Sequence, residues 1–382
     1  MKIRKLVNVA TITIMVLIIG IVIWGCGVNK EKSTSKEETS ISAKKQDSIS
    51  KLSFNRPLVV HFPTYGGYAP GILYNRGLRS NNKSLFLKKH NLKVDLIVLD
   101  VVEIAVSAFV KGGAGGGVDV MSVTLDMYAA TYRKLKEAGL DTVAILLTSW
   151  SYGGDAIAVS KDIQSAEDLK NKKIACANIT PSHYLALYVL NEASISNEDV
   201  NWVFTGTAID AANVFKAGKT DACVSWAPDV YRAAEGREGG HILTSTKDTG
   251  RLIGDIFIVK REFAEKYKDV LAHFCEGWLE GVEMSNEKPD KAVEYLTEAF
   301  KPAGIGVEEA KYMISLVQFA DKNENLRFFG VIRSESDISY TYRSVYNSSC
   351  TLWKKFGVVD AFSPVENTYF VKHFTQLSTI EK

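Results

Sequence analysis

Hydrophobic positions follow two different periods along the central part of the chain. Short runs rich in β-branched residues predict strands, and the segments between them, with apolar residues three and four positions apart, predict helices. Strands that alternate with crossover helices are typical of parallel α/β sheets. The predicted strands form two sets: residues 58–62, 94–99, 118–123 and 143–148, followed by 173–177, 200–204, 221–225 and 241–243.

A unit of helix, glycine turn and strand occurs twice in the sequence. The clearer copy covers residues 208–229, and a degraded copy at 102–126 lies about a hundred residues earlier. The chain therefore has two similar halves, which we expect to form two lobes. Residues 151–159 and 252–259 each contain glycine, aspartate and a β-branched strand, and we predict that they cross between the lobes as a hinge.

The pattern becomes purely helical after Val259. Helices are predicted at residues 261–286, 289–300, 307–321 and 334–356. We expect them to pack on the first lobe, because the second copy of the repeat is already complete. This division assigns residues 56–154 and 253–382 to lobe I, and residues 155–252 to lobe II.

The start of the chain has the organisation of an export signal. Three cations within residues 2–5 precede an apolar run that ends in Ile23-Trp24-Gly25-Cys26. The apolar residue three positions before the cysteine and the small residue directly before it resemble a bacterial lipoprotein signal, so residues 1–26 are predicted to end in a lipidated Cys26. An uncleaved transmembrane anchor is the alternative, since the run is long enough to cross a bilayer. Residues 27–55 are mostly polar and are predicted to form a flexible tether.

Charge and cysteine content narrow the range of functions. The 382 residues carry a formal net charge of +2, which argues against a nucleic-acid partner. Cys176 and Cys223 fall in predicted strands and Cys275 in a predicted helix, as expected of small buried hydrophobes. No two cysteines have the spacing of a zinc site, so the sequence predicts neither a metal nor a cofactor.

Several motifs resemble one family of binding proteins. They lie at residues 63–70, 153–159, 165–173 and 180–182, and in the second repeat through Trp226-Ala227-Pro228. In these motifs the chain is similar to the solute-binding lipoproteins of bacterial ABC importers, in the group for nitrate, sulfonates, taurine and thiamine-type pyrimidines. The resemblance implies a two-lobed periplasmic-binding-protein-like type II fold. Each lobe would be a doubly wound, mostly parallel sheet, and the C-terminal helices would extend lobe I.

The resemblance also implies a function. The protein would be a lipid-anchored monomer on the outer face of the cell membrane, where it captures a small solute and delivers it to the permease and ATPase subunits of an importer. We expect an anionic or zwitterionic organic solute of the sulfonate or taurine type, bound without catalysis. Phosphonate, nitrate and a thiamine-type pyrimidine are alternative solutes. The alternative functions are a sensory receptor and an enzyme of thiamine-related metabolism with His183 or Cys223 as its reactive residue.

Candidate binding residues lie where the predicted strands end, because open parallel sheets bind ligands beyond the carboxyl ends of their strands. Glycines within residues 64–68 would let backbone amides approach a ligand flanked by tyrosines. Residues 180–182 would begin a helix whose free amides suit an anion, although plain capping explains the first two equally well. Aspartates and aromatic rings suit a cation or heterocycle, so a solute with both kinds of group satisfies more of the site. The predicted ligand-binding residues are Tyr65, Gly66, Gly67, Tyr68, Thr124, Asp126, Asp155, Thr180, Ser182, His183, Thr207, Trp226 and Asp229.

Overall fold

The fold consists of two β-sheets with helices packed around them. The structure is a computed structural model that describes residues 54–332 and 340–374. The strands are β1 (Leu58–Phe62), β2 (Val94–Val98), β3 (Val120–Thr124), β4 (Thr142–Ser151), β5 (Asp155–Val159), β6 (Lys173–Ala177), β7 (Asn201–Thr205), β8 (Ala222–Trp226), β9 (His241–Ser245), β10 (Gly254–Lys260) and β11 (Val317–Phe319).

The helices connect the strands and then form the C-terminal part of the chain. They are α1 (Ala69–Asn75), α2 (Leu85–His90), α3 (Val102–Lys111), α4 (Leu125–Glu137), α5 (Pro181–Glu192), α6 (Ala208–Lys216), α7 (Asp229–Glu235), α8 (Arg261–Lys266), α9 (Lys268–Glu287), α10 (Pro289–Phe300), α11 (Val307–Ser315), α12 (Lys322–Phe328) and α13 (Tyr342–Lys355).

Both sheets are mixed, and they are mixed in the same way. The first sheet has the order β11-β4-β10-β3-β1-β2, and the second has the order β7-β6-β8-β5-β9. In the first, β1 runs parallel to β2 and β3, whereas β10 is antiparallel to its neighbours β3 and β4. In the second, β6 runs parallel to β7 and β8, whereas β5 is antiparallel to β8 and β9. Each sheet therefore contains a reversed strand, β10 or β5, which the chain enters from the other sheet. The first sheet has a second reversed strand, β11, at its edge.

The two chain crossings lie side by side. One joins β4 to β5 through residues 152–154, and the other joins β9 to β10 through residues 246–253. The Thr246 hydroxyl lies 2.7 Å from that of Ser151, and its oxygen accepts a hydrogen bond of 2.8 Å from the amide of Gly153. A third bond of 2.9 Å runs from the Ser151 amide to the Ile253 carbonyl. The crossings are thus bonded to each other where the lobes meet.

The C-terminal helix α13 reaches both hydrophobic cores. Tyr342 and Tyr346 in its first half belong to the core of the six-stranded sheet. Leu352 and Trp353 in its second half belong to a core of the five-stranded sheet, and the Trp353 indole donates a hydrogen bond of 2.9 Å to the Asp126 carbonyl. The expected packing of the C-terminal helices on lobe I therefore extends, through α13, onto the other lobe.

Two element predictions at the C-terminal end differ from the structure. The helix predicted at residues 307–321 ends at Ser315, and Val317–Phe319 instead form β11, which pairs antiparallel with the last residues of β4. The backbone hydrogen bonds offered by that sheet edge explain why the helical spacing does not continue. Of the helix predicted at residues 334–356, residues 334–339 lie outside the described residues. The described part, α13, begins at Tyr342, where the Thr341 side chain accepts a hydrogen bond from the Ser344 amide.

The predicted export signal, Cys26 and the tether up to residue 53 lie outside the described residues. Within the described ranges, none of the helices combines the length and apolar character that crossing a membrane requires.

Candidate functional site

A cleft lies between the two sheets, at the carboxyl ends of their parallel strands. It encloses about 760 Å³ including the part open to solvent. The six-stranded sheet and its connections contribute His61, Tyr65, Tyr68, Asp100, Ser122, Thr124 and Asp255, and the second lobe contributes Asp155, Thr180, Pro181 and Trp226. A solute bound here would touch both lobes at once.

The reversed strands bring two aspartates to this edge. Asp155 opens β5 and pairs with Trp226, the last residue of β8. Asp255, near the start of β10, pairs with Thr124, the last residue of β3. An antiparallel strand begins where its parallel neighbour ends, so a carboxylate at its start reaches the ligand-binding edge of the sheet.

Three buried carboxyl groups interact in and beside the cleft. Burial raises the pKa of Asp126 to about 8, with further increases from Asp155 and Asp255. Burial likewise raises the pKa of Asp255 to about 7, and nearby Asp155 adds to it. The pKa of Asp155 rises to about 6 because of burial, which the Ser151 hydroxyl offsets in part. The three carboxyl groups are therefore more stable when some of them are protonated or paired with a positive charge than when all three are ionised.

No basic side chain balances these carboxyl groups at the cleft. Among the described residues, the cleft wall contains neither lysine nor arginine. His61 is buried, and burial lowers its pKa despite the nearby Asp100 and a contact of 3.0 Å between its Nε2 and the Leu99 carbonyl. A neutral His61 leaves the negative potential of the cleft uncompensated at pH 7.

The two predicted tyrosines lie in the cleft wall with different restraints. The Tyr68 ring stacks on Phe62 with centroids 4.6 Å apart, and its hydroxyl bonds both Ser122 and Asp255, the latter at 3.0 Å. The Tyr65 hydroxyl has no hydrogen-bond partner in the described ranges. It lies against Gly154, where an added Cβ would be 2.2 Å from its oxygen. Tyr68 is therefore fixed by the scaffold, whereas, among the described residues, the Tyr65 hydroxyl has only the Ser151 hydroxyl near enough to affect its pKa as a hydrogen-bond donor.

The start of α5 adjoins the same region, with Thr180 and Pro181 in the cleft wall. Thr180 precedes the helix in an extended conformation, and its hydroxyl donates to the Ala177 carbonyl at 2.7 Å instead of capping an amide. The Ser182 hydroxyl is buried and, within the described part of the chain, has no hydrogen-bond partner. The free amides of such a first turn carry partial positive charge that suits an anionic group.

Some of the predicted residues line the cleft, and others are buried behind the residues that line it. It includes Tyr65, Tyr68, Thr124, Asp155, Thr180 and Trp226. Asp126 and Ser182 are buried beside the lining residues that adjoin them in sequence. Gly66 and Gly67 serve close packing, because an added Cβ would be 2.3 Å from the Met313 carbonyl oxygen and 2.4 Å from the Ser149 hydroxyl, respectively.

Three predicted residues have structural surroundings outside the cleft wall. His183 packs between aromatic rings, with centroids 5.0 Å from Trp202 and 5.3 Å from Trp353, and burial lowers its pKa to about 3. Thr207 caps α6 by accepting a hydrogen bond of 3.1 Å from the Asp210 amide. Asp229 begins α7 and forms an ion pair of 3.6 Å with Arg232.

Several cleft residues were not among the predicted ones. Asp255 is the most important, and the sequence contained its signal: residues 252–259 repeat the glycine and aspartate of residues 151–159. Asp100 and His61 carried no comparable signal, because a polar residue at or near a strand end is common.

The reactive-cysteine alternative receives no support from the surroundings of Cys223. The side chain is fully buried in β8, and burial raises the pKa of its thiol to about 12. A catalytic thiol needs the opposite, an accessible group with a lowered pKa.

Known proteins share this architecture. The periplasmic nitrate-binding protein NrtA from Synechocystis PCC 6803 superposes with a TM-score of 0.66 over 85% of this chain and 89% of its own, at 14% identity. This likeness confirms the class that the two sheets and the cleft define, a two-lobed α/β protein with the periplasmic-binding-protein fold.

Sequence comparison gives the family. A profile of the family described as NMT1/THI5 like matches residues 86–292, more than half of the chain. The protein belongs to this family.

Curated relatives match shorter segments. The taurine-binding periplasmic protein of Escherichia coli K12 is 32% identical over 149 residues, which are 38% of this chain and 45% of the relative. A putative aliphatic sulfonates-binding protein of the same organism is 32% identical over 124 residues, 31% of this chain and 38% of the relative. The chain therefore matches less than half the length of either relative.

Proposed function

We propose that the protein is the solute-binding receptor of an ABC importer, held at the outer face of the cell membrane by a lipid on Cys26 and active as a monomer. The observation that carries this proposal is the cleft in which the strand ends of both sheets meet. A Cys26→Ser variant expressed in cells should no longer incorporate labelled palmitate.

Closure over a solute would work through the two crossings. The lobes are joined at residues 152–154 and 246–253, so a solute that touches Asp255 on one lobe and Asp155 on the other favours the closed arrangement. The permease would then recognise the closed form. Helix α13, packed in both cores, would have to bend or slide during that motion.

The charges in the cleft favour a solute with a positive group. Three carboxyl groups, those of Asp126, Asp155 and Asp255, lie in or beside the cleft, with no lysine or arginine among the described wall residues. An ammonium ion would satisfy them, since burying ionised carboxylates without a counter-charge is costly. The first turn of α5 would hold an anionic group of the same molecule. A zwitterionic aminosulfonate of the taurine type meets both requirements, and the name of one relative, a taurine-binding protein, agrees with it.

A matched pair of solutes tests this proposal. Taurine and ethanesulfonate differ only in the amino group. We expect taurine to raise the melting temperature of the full-length protein and to release or absorb heat on titration, whereas ethanesulfonate should do neither at the same concentration. Phosphonates, nitrate and thiamine-type pyrimidines complete the panel.

Each result has a separate meaning. Equal binding of ethanesulfonate and taurine would contradict the cation-accepting cleft but leave the receptor function in place. Binding of a pyrimidine or another panel member alone would replace the solute class. If no member of the panel binds, the proposed receptor for this group of solutes is wrong.

A further inference from the structure

A cluster of potential metal ligands lies away from the cleft, where the end of α2 meets α9. It consists of His90, His273 and Glu276, whose ligand atoms all lie within 4.8 Å of one another. None of these residues belongs to the cleft wall. We propose that His90, His273 and Glu276 form a binding site for a divalent transition-metal ion, zinc above all, which links α2 to α9.

The distances agree with tetrahedral coordination. Zinc binds histidine nitrogen at about 2.0–2.1 Å, so two nitrogens of one tetrahedron are about 3.4 Å apart. The Nδ1 atoms of His90 and His273 are 3.4 Å apart, and His90 Nδ1 is 3.7 Å from a carboxylate oxygen of Glu276. The ligand atoms of His273 and Glu276 lie within 4.8 Å of each other, so movement of these two partly exposed side chains would bring all three atoms around one ion, with the fourth position open to water.

A hydrogen-bond chain directs the lone pair of His90 toward the cluster. The Tyr74 hydroxyl donates to a carboxylate oxygen of Glu280 at 2.8 Å, so its own oxygen can accept from His90 Nε2–H at 3.0 Å. With the proton on Nε2, the neutral ring has its lone pair on Nδ1, the atom that faces His273. Metal-binding histidines are usually held in this way by a hydrogen bond to the second ring nitrogen.

The packing of the helices fixes the positions of these ligands. At Gly277, next to Glu276, an added Cβ would be 2.6 Å from the Phe86 ring, so the glycine allows α2 to approach α9 closely. Phe86 and Phe274 also stack with centroids 5.8 Å apart. His90 is buried, whereas His273 and Glu276 are partly exposed, which leaves a path for a cation from solvent.

Sequence spacing could not reveal this site, because His90 and His273 are 183 positions apart. Only the fold brings them together, which is why the sequence predicted no metal.

Zinc titration of the full-length, tag-free protein tests the proposal. After removal of bound metal with a chelator, calorimetry should show about one equivalent of zinc bound per chain, and cobalt should give the visible absorption of a tetrahedral site. His273→Ala and Glu276→Gln should each weaken zinc binding by at least about tenfold. His241→Ala is the matched control, because His241 lies on β9 in the other sheet.

The variants keep every cysteine, so zinc captured by a thiol would bind equally well to the His273→Ala protein. That result, or the absence of zinc binding to the parent protein, would overturn the proposal. Taurine binding by the metal-free protein is measured separately, so failure of the zinc site and failure of the receptor function can be told apart.

Discussion

Asp155 and Asp255 occupy equivalent places in the two lobes but differ in how they are held. Each follows a glycine, lies at the start of a reversed strand, and pairs with the last residue of a parallel strand. The Asp255 carboxylate accepts hydrogen bonds from Tyr68 at 3.0 Å and Ser149 at 3.4 Å. At Asp155 the Ser151 hydroxyl is shared, because it also accepts from the Asp155 amide at 3.1 Å and contacts Thr246. The repeated glycine-aspartate segment determines where each aspartate lies. Residues outside that segment determine which hydrogen bonds its carboxylate accepts.

The largest expected effect separates the two aspartates by solute affinity, and it rests on the proposed function. Asp155→Asn should weaken taurine binding about 100-fold, since truncating one partner of a buried charge pair costs about 2–5 kcal/mol. Asp255→Asn should weaken it about tenfold, because the asparagine oxygen can still accept the Tyr68 hydrogen bond and part of the Asp255 charge is already satisfied by the scaffold. Isothermal titration of both variants measures the difference.

Asp162→Asn provides the control for that comparison. Asp162 is an exposed residue that follows β5, and its substitution removes the same charge as the other two. Its affinity should equal that of the parent protein. An equal loss in Asp155→Asn and Asp255→Asn, or a larger loss in Asp255→Asn, would show that the hydrogen bonds to Asp255 do not distinguish the two sites.

The glycines before the aspartates extend the comparison to stability. An added Cβ at Gly254 would lie 2.8 Å from the ring of Trp150, whose indole is fixed by a hydrogen bond of 2.8 Å to Glu324. An added Cβ at Gly154 would lie 2.2 Å from the hydroxyl oxygen at the far end of the Tyr65 side chain, not against the face of a ring. Gly254→Ala should therefore lower the free energy of unfolding by about 2 kcal/mol and Gly154→Ala by about 1 kcal/mol.

Denaturant unfolding measures both losses, and Gly306→Ala is the control because an added Cβ there meets nothing within 4 Å. Gly154→Ala should also weaken taurine binding, whereas Gly254→Ala should not. If Gly154→Ala proves the more destabilising of the two, Tyr65 is held more firmly than its missing hydrogen bond indicates.

Sequence patterns were sufficient for the parts of the fold that repeat. The two halves, the paired crossings and most strands follow from apolar periodicity and the glycine-aspartate segments. Strand β11 was predicted as helix, because pairing with β4 depends on which sheet edge lies nearby. The reach of α13 into the second core likewise depends on tertiary packing, since an amphipathic pattern does not identify the partner of its apolar face.

The candidate site was predictable only where a residue's place along a strand decides its role. Asp155, Thr180 and Trp226 reach the cleft because they lie at the strand ends or helix start that the pattern predicts. His183 follows Ser182 directly, yet it points into a cluster of aromatic rings. The direction of the His183 side chain depends on the rotation of α5 about its axis and on Trp353, which is more than 150 positions away in the sequence.

The smallest expected effect is on the pH dependence of stability, and it is measured at Asp126, whose pKa both Asp155 and Asp255 raise. Its pKa of about 8 in the folded state lies above the unfolded value of about 3.9, so the folded state keeps the Asp126 proton up to a higher pH. The stability that this bound proton contributes is lost as the pH rises toward 8. Relative to the parent protein, Asp126→Asn should therefore gain stability as the pH rises from about 4, and the gain should level off above about pH 8. A gain of about 1 kcal/mol would raise the melting temperature by about 2–4 °C.

The difference between variant and parent isolates Asp126, because the buried histidines, whose lowered pKa values have the opposite effect on stability, contribute equally to both proteins. Asp155 raises the pKa of Asp126 more than Asp255 does. In an Asp155→Asn background, the midpoint pH of the stability gain should therefore be lowered more than in an Asp255→Asn background. Equal midpoints would mean that the two aspartates act alike on their shared neighbour, so that the contrast between them concerns hydrogen bonding alone and not charge.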